Sequence, residues 1–175
     1  IAALLRAIDG IRDGQGRPVI DRLRFVTSHP WDLTNRLIGA MAELAGFGTT
    51  SDAGDIVRPD AAGAAGAMEA ALADAGLDAR DVDYVNAHGT GTILNDRSES
   101  EALRRVFGGR LDTLAVSSTK PVHGHTLGAA GALELVITAR ALQDAFAPPT
   151  INWLGADRDC IPDPVPNAGR SVDIS

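Results

Sequence analysis

The chain has 175 residues, of which 45% are hydrophobic and 22% charged, and its formal net charge is −7. This length suits one well-buried domain, and the composition is typical of a soluble globular protein. The acidic balance argues against a nucleic-acid surface, which needs a concentrated basic face. No apolar run is long enough to cross a bilayer, and the single cysteine, Cys160, allows no intrachain disulfide. We therefore expect a cytoplasmic protein without nucleic-acid or membrane partners.

Strand-like and helix-like segments alternate from about residue 43 onward. Residues 1–42 show no clear period and are left as an unassigned, divergent N-terminal segment, whereas 43–175 are expected to form one domain. Helices are predicted over 59–77, 95–109 and 127–146, and strands over 82–88 and 113–119. This alternation predicts βαβ units and an α/β fold with a mixed, mainly parallel sheet.

Local signals predict where the first two helices begin and end. Asp60 is expected to cap the first helix and Gly76 to end it. Asp96 is predicted to cap the second helix, with Glu99 three residues later in the position of a capping-box acid. Asp96 and Glu99 are therefore interpreted as helix-start residues.

The third predicted helix (127–146) is apolar almost all round over its first turns, which predicts burial. Glu134 lies in this apolar part, where an uncompensated carboxylate is costly or stays protonated. We expect Glu134 to be buried for a functional or architectural reason, with its carboxylate reaching toward Lys120 or an ordered cation.

His88 begins a loop, "HGTGT", directly after the first predicted strand. The two glycines of this loop leave backbone amides approachable, and Thr90 and Thr92 add hydroxyl groups. Such surroundings suit a polar chain lying along the loop. The loop lacks the last glycine of a dinucleotide-binding fingerprint, because Leu94 occupies that position.

A second group of candidates, Lys120, His123 and His125, follows the second predicted strand. If the two strands are neighbours, their carboxyl ends meet and bring this group to His88 in one pocket. An H-x-H pair can also hold a metal, which would make the protein a metal-dependent hydrolase. His88 is the only obvious third nitrogen ligand, however, and the charge of Lys120 opposes a dication, so a metal site is disfavoured.

Several longer motifs, in order, resemble one family. The segments "VNAHGTGT", "NDRSESEAL", "SSTKPVHGHTLGAAGALE", "PPTIN" and "VPNAGR" are similar to the C-terminal half of a β-ketoacyl-acyl carrier protein synthase, from about Glu43 to the end of the chain. This resemblance implies a thiolase-like, layered αβαβα sandwich. It also implies decarboxylative condensation of an acyl thioester with malonyl-acyl carrier protein, in fatty acid or polyketide biosynthesis. No separate cofactor is implied, because the acyl carrier protein brings its own phosphopantetheine.

The resemblance assigns roles to individual residues. His88 and His125 match the two histidines that contact the malonyl thioester carbonyl and assist decarboxylation, and two imidazole N–H donors there would form an oxyanion hole. Lys120 matches a lysine that supports the second histidine, and Glu134 matches a buried glutamate that interacts with the lysine region. His123 falls where many members carry threonine and is interpreted as a neighbour.

The remaining matches concern substrate binding and the nucleophile. Thr90 and Thr92 match threonines that hydrogen-bond the phosphopantetheine arm. The nucleophilic cysteine of the family belongs to its N-terminal half, and Cys160 instead matches a cysteine of a late loop, without an adjacent base or helix N-terminus to activate it.

The chain stops before the glycine-rich strand that follows in the family, so the domain is expected to be truncated there. Because the family's nucleophilic cysteine is missing from it, the chain alone is expected to be inactive in condensation. Half of a two-half sandwich would expose an apolar face, which predicts a homodimer or a complex with the missing N-terminal half. The alternative is a non-catalytic, chain-length-factor-like partner subunit, which would have no need to keep His88, Lys120 and His125.

Overall fold

A computed structural model of the protein describes residues 45–172, apart from 56, 57, 156 and 162. The unassigned segment 1–42 and residues 173–175 lie outside the described residues. The described part belongs to two compact units. One contains 45–125 and 144–172, and the other contributes Thr126–Gln143.

The larger unit alternates helices and strands. Its elements are α1 (Ala61–Ala75), β1 (Tyr84–Asn86), α2 (Ile93–Phe107), β2 (Ala115–Ser117), a short α3 (Lys120–His123), β3 (Phe146–Ala147) and β4 (Arg170–Ser171). Strands β1 and β2 pair in parallel, with Asn86 opposite Ser117, and β3 pairs with β4 in antiparallel orientation. The predicted α/β class, with parallel and antiparallel pairing, is confirmed.

Helix α1 has the predicted ends. The Asp60 carboxylate accepts hydrogen bonds from the backbone N–H groups of Ala62 and Gly63, which otherwise have no partner in the first turn. Gly76 ends the helix with a φ of 68°, a left-handed conformation that glycine adopts without a steric penalty. Both residue types act locally, so sequence alone was sufficient to place them.

Helix α2 begins earlier than predicted. Its N-cap is Thr92, whose hydroxyl accepts from the Asn95 backbone N–H at 3.4 Å. Asp96 was therefore assigned wrongly as the cap and lies in the first turn instead, where the helix dipole favours a negative charge. The capping-box interpretation of Glu99 is also wrong, because Glu99 lies seven residues beyond the cap and accepts hydrogen bonds from the backbone of His88 and Gly89 instead.

A compact apolar cluster holds α2 against the parallel strands. Leu103 is the most buried large side chain of this helix, with 1% of its surface exposed. The cluster consists of Ala87, Leu103, Phe107, Leu114 and Val116, with partly buried neighbours that include Met68, Val82, Val85, Val106 and Ile161. Burial of this apolar surface fixes α2 beside the carboxyl ends of β1 and β2, where the candidate residues lie.

Two features near the third predicted helix differ from expectation. The four-residue helix α3, with Pro121 in its first turn, was not predicted because a single turn has no hydrophobic period. Helix α4 (Ala130–Asp144) follows a 3₁₀ turn at Leu127–Ala129, and only its alanines 130, 139 and 141 are buried. The prediction that this helix is buried on nearly all sides is therefore wrong.

None of the helices among the described residues is both long and apolar enough to span a membrane.

Candidate functional site

The backbone at the end of β1 is held by a carboxylate from α2. The N–H groups of His88 and Gly89 donate to the two oxygens of Glu99, at 2.7 and 2.8 Å. Hydrogen bonds to a charged acceptor are roughly twice as strong as neutral ones. Glu99 therefore fixes the peptide plane from which the His88 side chain extends.

The same loop is clamped from the neighbouring strand. Ser118 follows β2, and its hydroxyl donates to the Gly89 carbonyl oxygen at 2.9 Å. A Cβ atom on Gly89 would lie 2.4 Å from the Ser118 Cβ, and Gly89 has a φ of +40°. Only glycine permits this close approach, so the two strand ends are locked together at the base of the site.

Lys120 determines which ring nitrogen of His88 carries the proton. The lysine begins α3, is 4% exposed, and places its ammonium nitrogen 3.0 Å from His88 Nδ1. An ammonium group can only donate, so Nδ1 accepts and the proton of the neutral imidazole lies on Nε2. The prediction that Lys120 supports the second histidine stays a prediction beside this contact with the first.

His125 meets His88 as predicted. The two imidazole centroids lie 5.3 Å apart with the ring planes at 86°, an edge-on arrangement. Both residues are exposed, so a ligand can approach the ring edges directly. Two imidazoles at this spacing can direct N–H donors at one oxygen atom of a bound molecule, which is the arrangement of an oxyanion hole.

The two threonines of the loop lie together beside His88. Their hydroxyl oxygens are 2.9 Å apart, and Thr92 also caps α2. Thr90 is partly buried and Thr92 is exposed. Their predicted contact with a phosphopantetheine arm stays a prediction.

His123 is held by contacts with its own sequence neighbours. Its Nδ1 lies 2.8 Å from the Gly124 carbonyl oxygen and its Nε2 lies 3.1 Å from the Thr119 hydroxyl. Across the part of the chain that the structure describes, no three His, Cys, Asp or Glu side chains are grouped as a metal ion would require.

Glu134 lies on α4, in the other unit. Its side chain is half-buried rather than fully buried, and its backbone carbonyl accepts from the Thr138 hydroxyl at 2.8 Å. Its predicted role toward Lys120 stays a prediction.

Cys160 lacks the features of a nucleophile. Burial raises the pKa of its thiol, and the Asp157 and Asp96 carboxylates act in the same direction. Its loop is attached to α2 by Arg104, which donates to the carbonyl oxygens of Asp159 and Cys160. A raised pKa reduces the thiolate fraction, so this cysteine is suited to a structural position rather than to attack on a thioester.

Glu99 belongs to the site, although its position in the sequence had indicated only a helix-start residue. Thr92 was the available signal, because threonine is a common N-cap and its hydroxyl here accepts from the N–H of Asn95, the third helical residue. With the cap at Thr92, Glu99 lies too far along the helix to have a capping function. Its actual partners are backbone amides ten and eleven residues away, which residue patterns do not reveal.

Replacing Glu99 with glutamine is expected to lower any activity that depends on His88 by about 10-fold to 100-fold, since the amide keeps one acceptor and turns an N–H₂ group toward the second backbone N–H. The same change should lower the free energy of unfolding by about 1–3 kcal/mol. The matched control is Glu101→Gln on the exposed face of α2, where the carboxylate pairs with Arg105. Equal unfolding midpoints and activities for the two variants would contradict the clamp.

Known proteins resemble this chain over most of its length. Residues 41–154 match the family model described as "Beta-ketoacyl synthase, C-terminal domain". Nodulation protein E of Rhizobium sp. (strain N33) is 46% identical over 158 residues, which are 90% of this chain and 38% of that protein. The 3-oxoacyl-[acyl-carrier-protein] synthase 2 of Coxiella burnetii is 49% identical over 135 residues, which are 76% of this chain and 33% of the enzyme.

A solved structure supports the same assignment. The ishigamide ketosynthase/chain length factor superimposes with a TM-score of 0.71 at 37% identity, over 75% of this chain and 32% of that chain. Such ketosynthases have the thiolase fold, so the predicted thiolase-like class is confirmed. The chain spans little more than a third of the length of the curated relatives that it matches. With the family model covering more than half of its residues, the chain belongs to the β-ketoacyl synthase family and corresponds to the C-terminal domain of that family.

Proposed function

We propose that this chain supplies the decarboxylating histidine pair of a β-ketoacyl-acyl carrier protein synthase. The reaction is condensation of an acyl thioester with malonyl-acyl carrier protein, which releases carbon dioxide and forms a β-ketoacyl thioester. The observation that supports this most strongly is the pair of exposed imidazoles, 5.3 Å apart, of which one has its proton fixed on Nε2 by Lys120.

The geometry suits stabilisation of an enolate. The carbonyl oxygen of a malonyl thioester accepts hydrogen bonds from the two imidazoles, and the bond between the α-carbon and the carboxylate breaks. Carbon dioxide leaves, and the electron pair forms an enolate whose negative oxygen faces the two N–H donors. The α-carbon then attacks the acyl thioester carbonyl and expels the cysteine thiolate.

The donors are preorganised by groups that do not react. Lys120 holds the His88 ring through Nδ1, and Glu99 holds the backbone from which that ring extends. Donors fixed before charge develops need no reorganisation during the reaction, which is the main source of such electrostatic catalysis. Thr90 and Thr92 are proposed to hydrogen-bond the phosphopantetheine arm that carries the malonyl group.

The acyl-bearing cysteine is proposed to come from residues outside this sequence. Cys160 is the only cysteine here, and its burial disfavours the thiolate. The proposed assembly is a homodimer, or a complex with an N-terminal half, that acts in the cytoplasm with acyl carrier protein as the substrate carrier and no separate cofactor. This chain alone should release carbon dioxide from a malonyl thioester without completing a condensation.

One observation favours a second candidate, a chain-length-factor-like partner subunit, because the superimposable structure pairs a ketosynthase with a chain length factor. Such a subunit would form a stable complex with a complete synthase and would release no carbon dioxide. The His88, His125 and Lys120 arrangement favours the catalytic role.

The experiment measures carbon dioxide release from malonyl-acyl carrier protein labelled in the free carboxylate, with the purified protein and with its Cys160→Ser variant. Both proteins should release carbon dioxide at the same rate, because the histidines and not the thiol act on the malonyl group. Release no faster than with heat-denatured protein would contradict the proposed function. Loss of release only in Cys160→Ser would show instead that the thiol takes part.

A further inference from the structure

We propose that His123 is a positioning residue for His125, a role that rests on the proposed function. His123 ends α3, and one glycine separates it from His125. Its Nδ1 lies 2.8 Å from the Gly124 carbonyl oxygen, and its Nε2 lies 3.1 Å from the Thr119 hydroxyl oxygen. The imidazole thus bridges a buried side chain and the peptide group that leads into the second histidine of the site.

Gly124 has two hydrogen bonds that restrain its backbone, because its N–H donates to the Lys120 carbonyl oxygen at 2.7 Å and its own carbonyl contacts His123. Its φ is 78° and its ψ is 173°, and no atom lies within 4 Å of where a Cβ would be. Glycine has a wide choice of backbone conformations, and neither a side chain nor close packing restricts this one. The Gly124 carbonyl belongs to the peptide bond whose nitrogen is that of His125. A hydrogen bond to this oxygen therefore fixes the plane from which His125 extends.

The other end of the His123 ring is attached to a rigid part of the unit. Thr119 is 3% exposed, and its hydroxyl also lies 3.4 Å from the side-chain oxygen of Asn86 at the end of β1. The Gly124 carbonyl can only accept, so Nδ1 carries the proton. The Thr119 hydroxyl has a single proton and donates it either to Nε2 of the neutral ring or to the Asn86 side-chain oxygen. With the first choice one tautomer satisfies both ring contacts, and the peptide group that leads into His125 is linked through His123 to the buried Thr119.

Two near-isosteric variants separate these contacts. The amide nitrogen of asparagine occupies nearly the place of Nδ1, whereas that of glutamine lies nearer Nε2. His123→Asn should keep the bond to Gly124 and stay within about 3-fold of the wild-type kcat for carbon dioxide release. His123→Gln should lose that bond and displace the His125 donor. Because this donor acts mainly on the negative charge that forms during the reaction, kcat should fall by about 10-fold or more while KM stays unchanged.

A spectroscopic readout makes the test independent of activity. His125 lies at the edge of the His88 ring, so its ring protons report their relative orientation. With histidine labelling, which marks only four residues, the His125 ring signals should shift in His123→Gln and stay near wild type in His123→Asn. If His123→Gln fails to fold, His123→Leu removes both ring nitrogens in an apolar side chain, and the same signals and kcat should change in that variant.

Wild-type signals and kcat in His123→Gln, or in His123→Leu if that variant is used, would overturn the inference. Equal losses in His123→Asn and His123→Gln would overturn it as well, because ring packing rather than the Gly124 bond would then explain them. If His125→Ala releases carbon dioxide as fast as wild type, the proposed function fails instead, and the signal comparison still decides whether His123 positions His125.

Discussion

Replacing His88 with alanine is expected to lower carbon dioxide release from malonyl-acyl carrier protein by about 10²–10³-fold, the usual effect of removing one oxyanion donor. The lost group is an N–H donor on Nε2, whose place is fixed by Lys120 at 3.0 Å from Nδ1. The developing enolate would keep only the donor of His125. Because the donor acts mainly as charge develops, the change should appear in kcat more than in KM.

Two further substitutions at His88 test the assigned nitrogen. In His88→Gln the amide nitrogen lies close to the position of Nε2, so part of the lost rate should return. In His88→Asn the amide nitrogen lies near Nδ1, facing the Lys120 ammonium, and the rate should stay near that of His88→Ala. A reversed order, with asparagine the better replacement, would contradict the assignment of the proton to Nε2.

Replacing Lys120 with methionine is expected to lower carbon dioxide release on the order of 10²–10⁴-fold, the range for residues that hold a catalytic or ligating histidine in its working tautomer. Methionine retains most of the length and apolar stem of lysine in this 4% exposed position, but it has no donor for His88 Nδ1. The His88 proton can then move to Nδ1, which leaves Nε2 without a donor.

Lys120 is the only lysine in the sequence, so this contact can be observed directly. Protein labelled with ¹⁵N-lysine should give a single side-chain ammonium signal, and that signal should change in His88→Ala because its hydrogen-bond acceptor is gone. The imidazole signals of His88 should in turn switch toward the other tautomer in Lys120→Met. An ammonium signal indifferent to His88→Ala would contradict the contact.

The features predicted correctly from the sequence are those that depend on nearby residues or on a general rule of sheet topology. Asp60 and Gly76 end α1 as expected because a cap acts on backbone groups within three residues of itself. The meeting of His88 with His125 was predictable for a different reason. Each follows a strand, and neighbouring parallel strands bring their carboxyl ends to one edge of the sheet.

The misjudged features depend on tertiary contacts. Glu99 resembles a helix-start residue in sequence, yet it binds the backbone N–H groups of His88 and Gly89, in the loop that leads into α2. A residue pattern records side chains, whereas the partners here are amide N–H groups that every non-proline residue has. The hydrogen bond from Lys120 to His88 Nδ1 was likewise not predicted, because it depends on the path of α3 after the end of β2.

Whether His88 and His125 act on the same oxygen atom is tested most directly by a double-mutant cycle on carbon dioxide release from malonyl-acyl carrier protein. His88→Ala, His125→Ala and the double variant are compared with wild type, and unfolding midpoints confirm that all four proteins are folded. If the two donors serve one oxyanion as a unit, each single change should cost nearly as much as both together. Single variants with wild-type rates, or losses that simply multiply in the double variant, would show that the two histidines do not form one site.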